Sequence, residues 1–369
     1  MNIENFQTFF DCGFSKIRAG TFNKNSKEEV FYIESEFFTD RSNLELKIQK
    51  IITSLEKDSK KYIEGVSLMI DSSKMFSVGI SLSKRLDGSK LKKKNIQFLI
   101  QDAKQQILKH YTNHNIVHII VNNYKIDDVD YSYLPDEIKC DFISLDIFFI
   151  CLPTDLVLYL KNIFSKSNIL INQIICSSYA KSINYKNNLN LTGYMSFIDV
   201  GFNKTSIISY FNEKIISLDI LPIGGNHITK DISQILKIDL DRSEQIKINF
   251  DQNSKLINDD NISIDILQKI ILARTEEILE LCAKSIESNP FTLDHFKMVL
   301  MGEGSKILDN QYKDKINFPG DIDFLEETLE DICQSGFKFG ERPNKQEVVV
   351  IPKIHTKQGF FEKLFHFFG

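Results

Sequence analysis

The sequence predicts an α/β protein built from two β-rich halves, and three observations carry that prediction. A strand–turn–strand pattern occurs twice, each time with Asp-x-Gly at the first strand's end: Asp11-Cys12-Gly13 and Asp199-Val200-Gly201. Between them, roughly residues 64–140 change texture and read as a small α+β unit of their own. The 369 residues, 42% hydrophobic with net charge −5, suit a folded protein of two or more domains.

NFQTFFDCGFSKIRAGTF reads as a strand, a tight glycine turn and a returning strand. GVSLMI and MFSVGISL follow as strands, IQFLIQDAKQQILKH as a helix and NIVHIIVNNYKID as a strand. In that helix Ile96, Leu99, Ile100, Ala103 and Ile107 share one face. A strand is expected near 142–151. The next helix takes Thr154 or Asp155 as its N-cap and aligns Leu156, Val157, Leu160, Ile163 and Phe164. YMSFIDVGFNKTSIISYFNEKIISLDILP gives three strands broken at 201–203 and 212–214. Helices follow near 226–237 and 262–287, then MVLM as a short strand running through GEGSK into a helix. Residues 341–357 read as a last strand and a linker.

Composition narrows the function classes. The bulk charge is not that of a nucleic-acid binder. The first residues lack the basic segment and apolar core of a secretory signal. The longest apolar run, FISLDIFFICL, contains Asp146 and falls far short of the ~20 residues that span a bilayer. The expectation is a cytoplasmic protein unless something attaches it to a surface. Six scattered cysteines show no CxxC pair and no histidine at ligand spacing, so they read as buried reduced thiols.

A repeated Asp-x-Gly hairpin suits a phosphate cradle. Glycine lets the backbone turn its amides toward an anion, and a nearby carboxylate can hold hydrated magnesium. Alone, each triplet equally ends an ordinary strand. Three further stretches add to the pair: Leu221-Pro-Ile-Gly-Gly-Asn-His-Ile-Thr229, Ser243-Glu-Gln-Ile-Lys247 and Val299-Leu-Met-Gly-Glu-Gly-Ser-Lys-Ile307. In this order, with Cys176-Ser-Ser-Tyr-Ala180 at the first connector, they resemble the FtsA family of the actin-like ATPase superfamily.

The resemblance implies two sheet halves around a nucleotide cleft, an inserted α+β subdomain and a C-terminal amphipathic helix. It divides the chain into a first half at 1–63 and 141–192, the insert at 64–140, and a second half at 193–340 whose outer subdomain is 221–293. A strand and linker (341–357) and a membrane-targeting helix (358–369) complete it. It implies ATP, with Mg2+, bound in the cleft. Asp11, Gly13, Phe14, Ser15 and Lys16 match the first phosphate loop, and Asp199, Gly201 and Thr205 the second. Asp11 and Asp199 are the expected metal carboxylates. Gly224, Gly225 and Asn226 match the segment approaching the phosphates from the other half. Glu244 and Lys247 match the ribose and adenine contacts, and Gly302, Gly304 and Ser305 the adenosine loop. Implied partners are FtsZ, a second copy in a filament, membrane lipids and later-acting division proteins, with no nucleic acid. The implied place is the cytoplasmic face of the bacterial inner membrane at mid-cell.

Departures from the family pattern shape the catalytic expectation. The second Asp is followed by Phe202-Asn203-Lys204-Thr205-Ser206, with Phe and Asn where glycines are usual and Ser206 where an acid is usual. Phe14 stands where a Gly-Thr step is usual. A lost metal carboxylate removes charge stabilisation that phosphoryl transfer needs, and Lys204 adds a cation. The expectation is ATP binding with at most weak hydrolysis.

The chain ends KQGFFEKLFHFFG. As a helix this puts Phe360, Phe361, Leu364, Phe365 and Phe368 on one face with Phe367 at its margin, the pattern of an in-plane membrane helix. Other readings are a PilM-like pilus-assembly adaptor, which lacks such a tail, an actin-fold small-molecule kinase, and a paralogue that has lost nucleotide.

Overall fold

Alternating and continuous apolar runs become strands in the first half, and the computed structural model describes residues 6–23, 30–36, 44–135, 138–189, 193–250, 262–288, 297–308, 321–341 and 347–348. Strands β1 (Phe6–Cys12), β2 (Lys16–Asn23) and β3 (Val30–Glu36) form an antiparallel meander. Helix α1 (Leu44–Ser59) carries the chain to β4 (Gly65–Ile70), which pairs parallel with β1. Strand β9 (Leu170–Cys176) completes the sheet β3-β2-β1-β4-β9.

The chain leaves that sheet after β4 and returns before β9. Between them lie β5 (Phe76–Lys90), α2 (Lys93–His110), β6 (His114–Ile126), β7 (Val129–Tyr131) and β8 (Lys139–Pro153), followed by α3 (Thr154–Lys166). The inserted sheet runs β6-β8-β5, and all five apolar positions of α2 are buried in its core. Its limits differ from 64–140 at both ends: β4 hydrogen-bonds to β1, whereas β8 pairs with β5 and β6 along its length to Pro153. The helix after it is capped by Pro153, not by Thr154 or Asp155, because β8 runs directly into the helix and the Thr154 amide donates to the Asn113 carbonyl.

After α4 (Ser177–Leu189) the pattern repeats. Strands β10 (Tyr194–Val200), β11 (Thr205–Phe211) and β12 (Lys214–Leu221) form a second meander. Helices α5 (Gly225–Leu236), α6 (Leu240–Ile248) and α7 (Ile264–Glu287) follow. Strand β13 (Lys297–Met301) then pairs parallel with β10, a short 3-10 turn covers Glu303–Leu308, and β14 (Asp321–Phe324) closes the sheet β12-β11-β10-β13-β14. The two sheets share one order and one set of strand directions. This is the duplicated actin-like architecture.

Helix α8 (Leu329–Glu341) packs on the first sheet, although most of its residues fall within 193–340. Phe337 stacks on Phe22 with centroids 4.6 Å apart, and Gly336 lies so close to Met69 and Phe9 that a Cβ there would meet the Met69 sulfur at 2.5 Å. The main core runs from the first sheet through α4 to one face of the second, and α7 covers the other face. Strand β15 (Glu347–Val348) pairs with the edge of β6. The membrane-helix residues, Phe360 to Phe368, lie outside the described residues, as does most of 341–357.

Candidate functional site

Each sheet's central strand ends at its Asp-x-Gly, so both turns arrive at one cleft between the halves. Asp11, Gly13, Phe14, Ser15 and Lys16 line it from the first turn, Asp199, Gly201, Phe202 and Lys204 from the second, and Gly302 and Glu303 from the turn after β13. Five of the remaining expected residues are drawn away. Thr205 is fully buried and donates to the Ile223 carbonyl at 2.8 Å. Gly304 packs on Val200, and the Ser305 hydroxyl caps the Gly302 carbonyl. Glu244 and Lys247 pair with each other at 2.7 Å, and Lys247 also donates to the Gly225 carbonyl at 3.1 Å.

The second turn and the segment after β12 bond to each other through their backbones. The Gly225 amide donates to the Gly201 carbonyl at 3.0 Å and the Asn226 amide to the Phe202 carbonyl at 2.7 Å. The first amides of α5, which a phosphate could otherwise take at a helix N-terminus, are thus capped by the second turn. Gly224 is required by this contact, since a Cβ would lie 2.4 Å from the Gly201 oxygen. Gly302 has φ +90°, a Cβ there would lie 2.3 Å from the Asp199 carboxylate, and its amide donates to Glu327 at 2.7 Å.

Charged side chains fill what space remains. Asp11 accepts from Ser177 at 2.8 Å and pairs with Arg18 at 3.3 Å. Asp199 pairs with Lys181 at 2.8 Å, and Lys181 also reaches Glu327 at 3.1 Å. Asp71 takes Lys204 at 2.9 Å. Glu303 crosses from the second half to Lys16 at 2.9 Å and Arg18 at 3.0 Å. Burial alone would raise the Glu303 carboxyl, but Arg18 and Lys16 hold it down at about 2. Burial opposes the charge of Asp71 as well, and Lys204 overrides it, so its carboxyl stays below the usual range. Burial would lower the Lys181 ammonium, yet Asp199 and Glu327 push it above its ordinary value.

The Mg2+ expectation does not fit this donor set. Asp11 and Asp199 each already face a protein cation, and no cluster of metal-ligating side chains occurs among the described residues. The cleft encloses about 90 Å³, well under the roughly 300–1,000 Å³ of ligand pockets.

Arg18, Asp71, Lys181, Glu303 and Glu327 were not singled out from sequence. Apart from Lys306, three positions from Glu303, their ion-pair partners lie between 7 and 287 positions away, so local spacing does not mark them. On α7, Arg274 pairs with Glu277 at 2.5 Å and bridges to Asp231 on α5 at 2.6 Å, a structural link between the two helices. A second buried chain leads away from the cleft. Asp71 accepts from the Cys176 thiol, the Cys176 amide donates to His118 Nε2 at 2.9 Å, and His118 Nδ1 donates to Glu347 at 2.5 Å.

A family profile described as "Cell division protein FtsA" matches residues 196–303. The FtsA of Buchnera aphidicola (from Schizaphis graminum) is 26% identical over 177 residues, 48% of this chain and 42% of that protein. The FtsA of Agrobacterium fabrum is 20% identical over 296 residues, 75% of this chain and 66% of the relative. The chain thus spans less than two thirds of these relatives' own length. Among solved structures, a PilM–PilN type IV pilus biogenesis complex aligns with TM-score 0.61 at 12% identity, over 90% of this chain and 95% of that one. The ethanolamine utilization protein EutJ of Carboxydothermus hydrogenoformans aligns with TM-score 0.52 at 10% identity, over 90% of each chain. These two likenesses concern the fold.

Proposed function

We propose that the chain is a divergent FtsA, a cell division protein of actin-like fold, and an adaptor that self-associates and tethers FtsZ filaments to the cytoplasmic membrane. The observation that carries the reading is the pairing of an FtsA-matching second half with a C-terminal sequence whose apolar residues fall on one helical face. Among the described residues no helix is long and apolar enough to cross a membrane. The attachment proposed is in-plane insertion of Phe360, Phe361, Leu364, Phe365, Phe367 and Phe368. Each fully buried Phe contributes roughly 1.5–3 kcal/mol, less at the headgroups. A single tail then binds reversibly, and many tails on one filament bind by avidity.

FtsZ is assigned to the outer part of the second half, within 221–293. Helices α5 to α7 there leave Ile235, Leu240, Ile248, Ile264 and Ile266 exposed, and such apolar anchors suit a short peptide laid along helices. Self-association is assigned to the inserted sheet of one copy against this region of the next, a heterologous contact that generates filaments. Division proteins acting later would join the same assembly at mid-cell. ATP is what the fold implies for the cleft. With the magnesium carboxylates neutralised, hydrolysis is expected to be weak or absent, which argues against the kinase reading. The structural likeness to the pilus complex is a likeness of fold at 12% identity, whereas the family profile is that of FtsA.

Liposome co-sedimentation of Phe361→Glu/Phe365→Glu tests the adaptor. Loss of sedimentation with unchanged thermal stability supports it; a destabilised protein in lipid-free buffer means the tail is a core helix.

A further inference from the structure

Three sets of opposite charges cross the cleft, and each joins the two halves. Lys16 and Arg18 of β2 meet Glu303 of the turn after β13 at 2.9 and 3.0 Å. Lys204 of the second turn meets Asp71, just after β4, at 2.9 Å. Lys181 of α4 meets Asp199 at the end of β10 at 2.8 Å. We propose that these pairs are a built-in clamp that holds the halves closed, so that the closed form is the working conformation without nucleotide or metal.

Three independent features lead there. The Glu303 carboxylate sits between two cations at the first Asp-x-Gly turn, meeting them as an oxyanion of a phosphoryl group would. The amides of Gly225, Asn226 and Gly302 are already used, by the Gly201 and Phe202 carbonyls and by Glu327. The third is chemical. At a nucleotide–metal site the phosphates are the anions and the metal supplies positive charge, whereas here side chains supply both signs. Lys181, Arg18 and Lys204 have side-chain exposures of 7%, 7% and 8%, and charges this buried persist only when paired. Ser206, in the place of the expected acid, lies within reach of both Lys204 and Asp71. An acid there would put a second anion beside Asp71; serine leaves the pair balanced.

The inference rests on identifying this cleft with the family's nucleotide site and replaces the ATP that the fold implies there, and it leaves the membrane and FtsZ assignments independent. The test uses the full-length protein with millimolar ATP and magnesium, with ATP and a chelator, and with neither, reading thermal midpoint, radius of gyration and liposome co-sedimentation. The clamp predicts the same values in all three, because a ligand that binds the folded state in excess over its Kd must raise the midpoint. Glu303→Gln keeps the side chain's size and removes its charge. It should enlarge the radius of gyration and speed proteolysis at the cleft turns at least tenfold, with far-UV circular dichroism unchanged. Glu303→Asp, which keeps the charge between Lys16 and Arg18, should keep proteolysis slow. A midpoint raised several degrees by ATP and magnesium overturns the clamp, as does a Glu303→Gln protein as closed as the parent. Failure to sediment with liposomes in every condition would instead sink the adaptor reading and leave the clamp standing.

Discussion

The two halves carry the same strand order and the same Asp-x-Gly, yet their aspartates are neutralised differently. Asp11 takes its cation from its own hairpin, Arg18 on β2, directly across the β1–β2 register. Asp199 takes Lys181 from α4, an element outside its sheet that also serves Glu327. One neutralisation is local, the other depends on how the halves are stacked. The difference teaches that a duplicated scaffold can keep its turns while the charge around each turn is rebuilt from different elements.

Lys181→Met should break that comparison most strongly. It leaves Asp199 and Glu327 buried without their shared cation, and removing one partner of a buried pair costs about 3–5 kcal/mol. Urea unfolding measures it; a loss under about 1 kcal/mol would mean that water reaches these charges. Gly302→Ala comes next. The left-handed backbone and the clash with Asp199 should together cost at least about 1–2 kcal/mol. Substituting Gly302 therefore tests the fold before it tests any nucleotide, and wild-type stability in this variant would contradict the packing.

His118→Ala sharpens the comparison from the side of the first half. Glu347 would lose its partner while its other carboxylate oxygen already has none, so β15 should detach from β6. Faster hydrogen exchange confined to the β6 edge is the expected result, and global unfolding the contrary one. The smallest effect is that of acid. Glu303 lies near 2 in the folded protein against an ordinary 4.5, so its contribution is complete above 4.5 and is lost as pH falls from there toward 2. Lys16 and Arg18 from β2 and Lys306 from its own turn face it, and Glu34 on β3 shares the first two. Proteolysis at the cleft should quicken across that window in the parent and lose this dependence in Glu303→Gln.

The meanders, the helix α2 and the doubled turns were legible in sequence because local patterns specify them: alternation, the 3.6-residue stripe of Ile96 to Ile107, and glycine at a reversal. Boundaries were less so. Strand β4 reads like its neighbours β5 and β6, and only its partner β1, more than fifty residues earlier, assigns it to the first sheet. A deletion meant to remove the insert should therefore take 76–153, whose ends meet where Phe76 pairs with Cys151. The motif positions were legible too, but not the work their residues do. Glycines that look like phosphate approaches are, at Gly224 and Gly302, demanded by contacts with Gly201 and Asp199. The acids and cations that fill the cleft sit on α4, after β4 and before α8, and no spacing rule connects them.

The most direct test of a cleft closed by its own charges is a spin–spin distance distribution between labels on the two halves, at the exposed Leu46 of α1 and Ile235 of α5. The account predicts a single narrow distribution for the nucleotide-free protein, unchanged by ATP and magnesium. A broad or two-peaked distribution that narrows only when ATP and magnesium are added would contradict it.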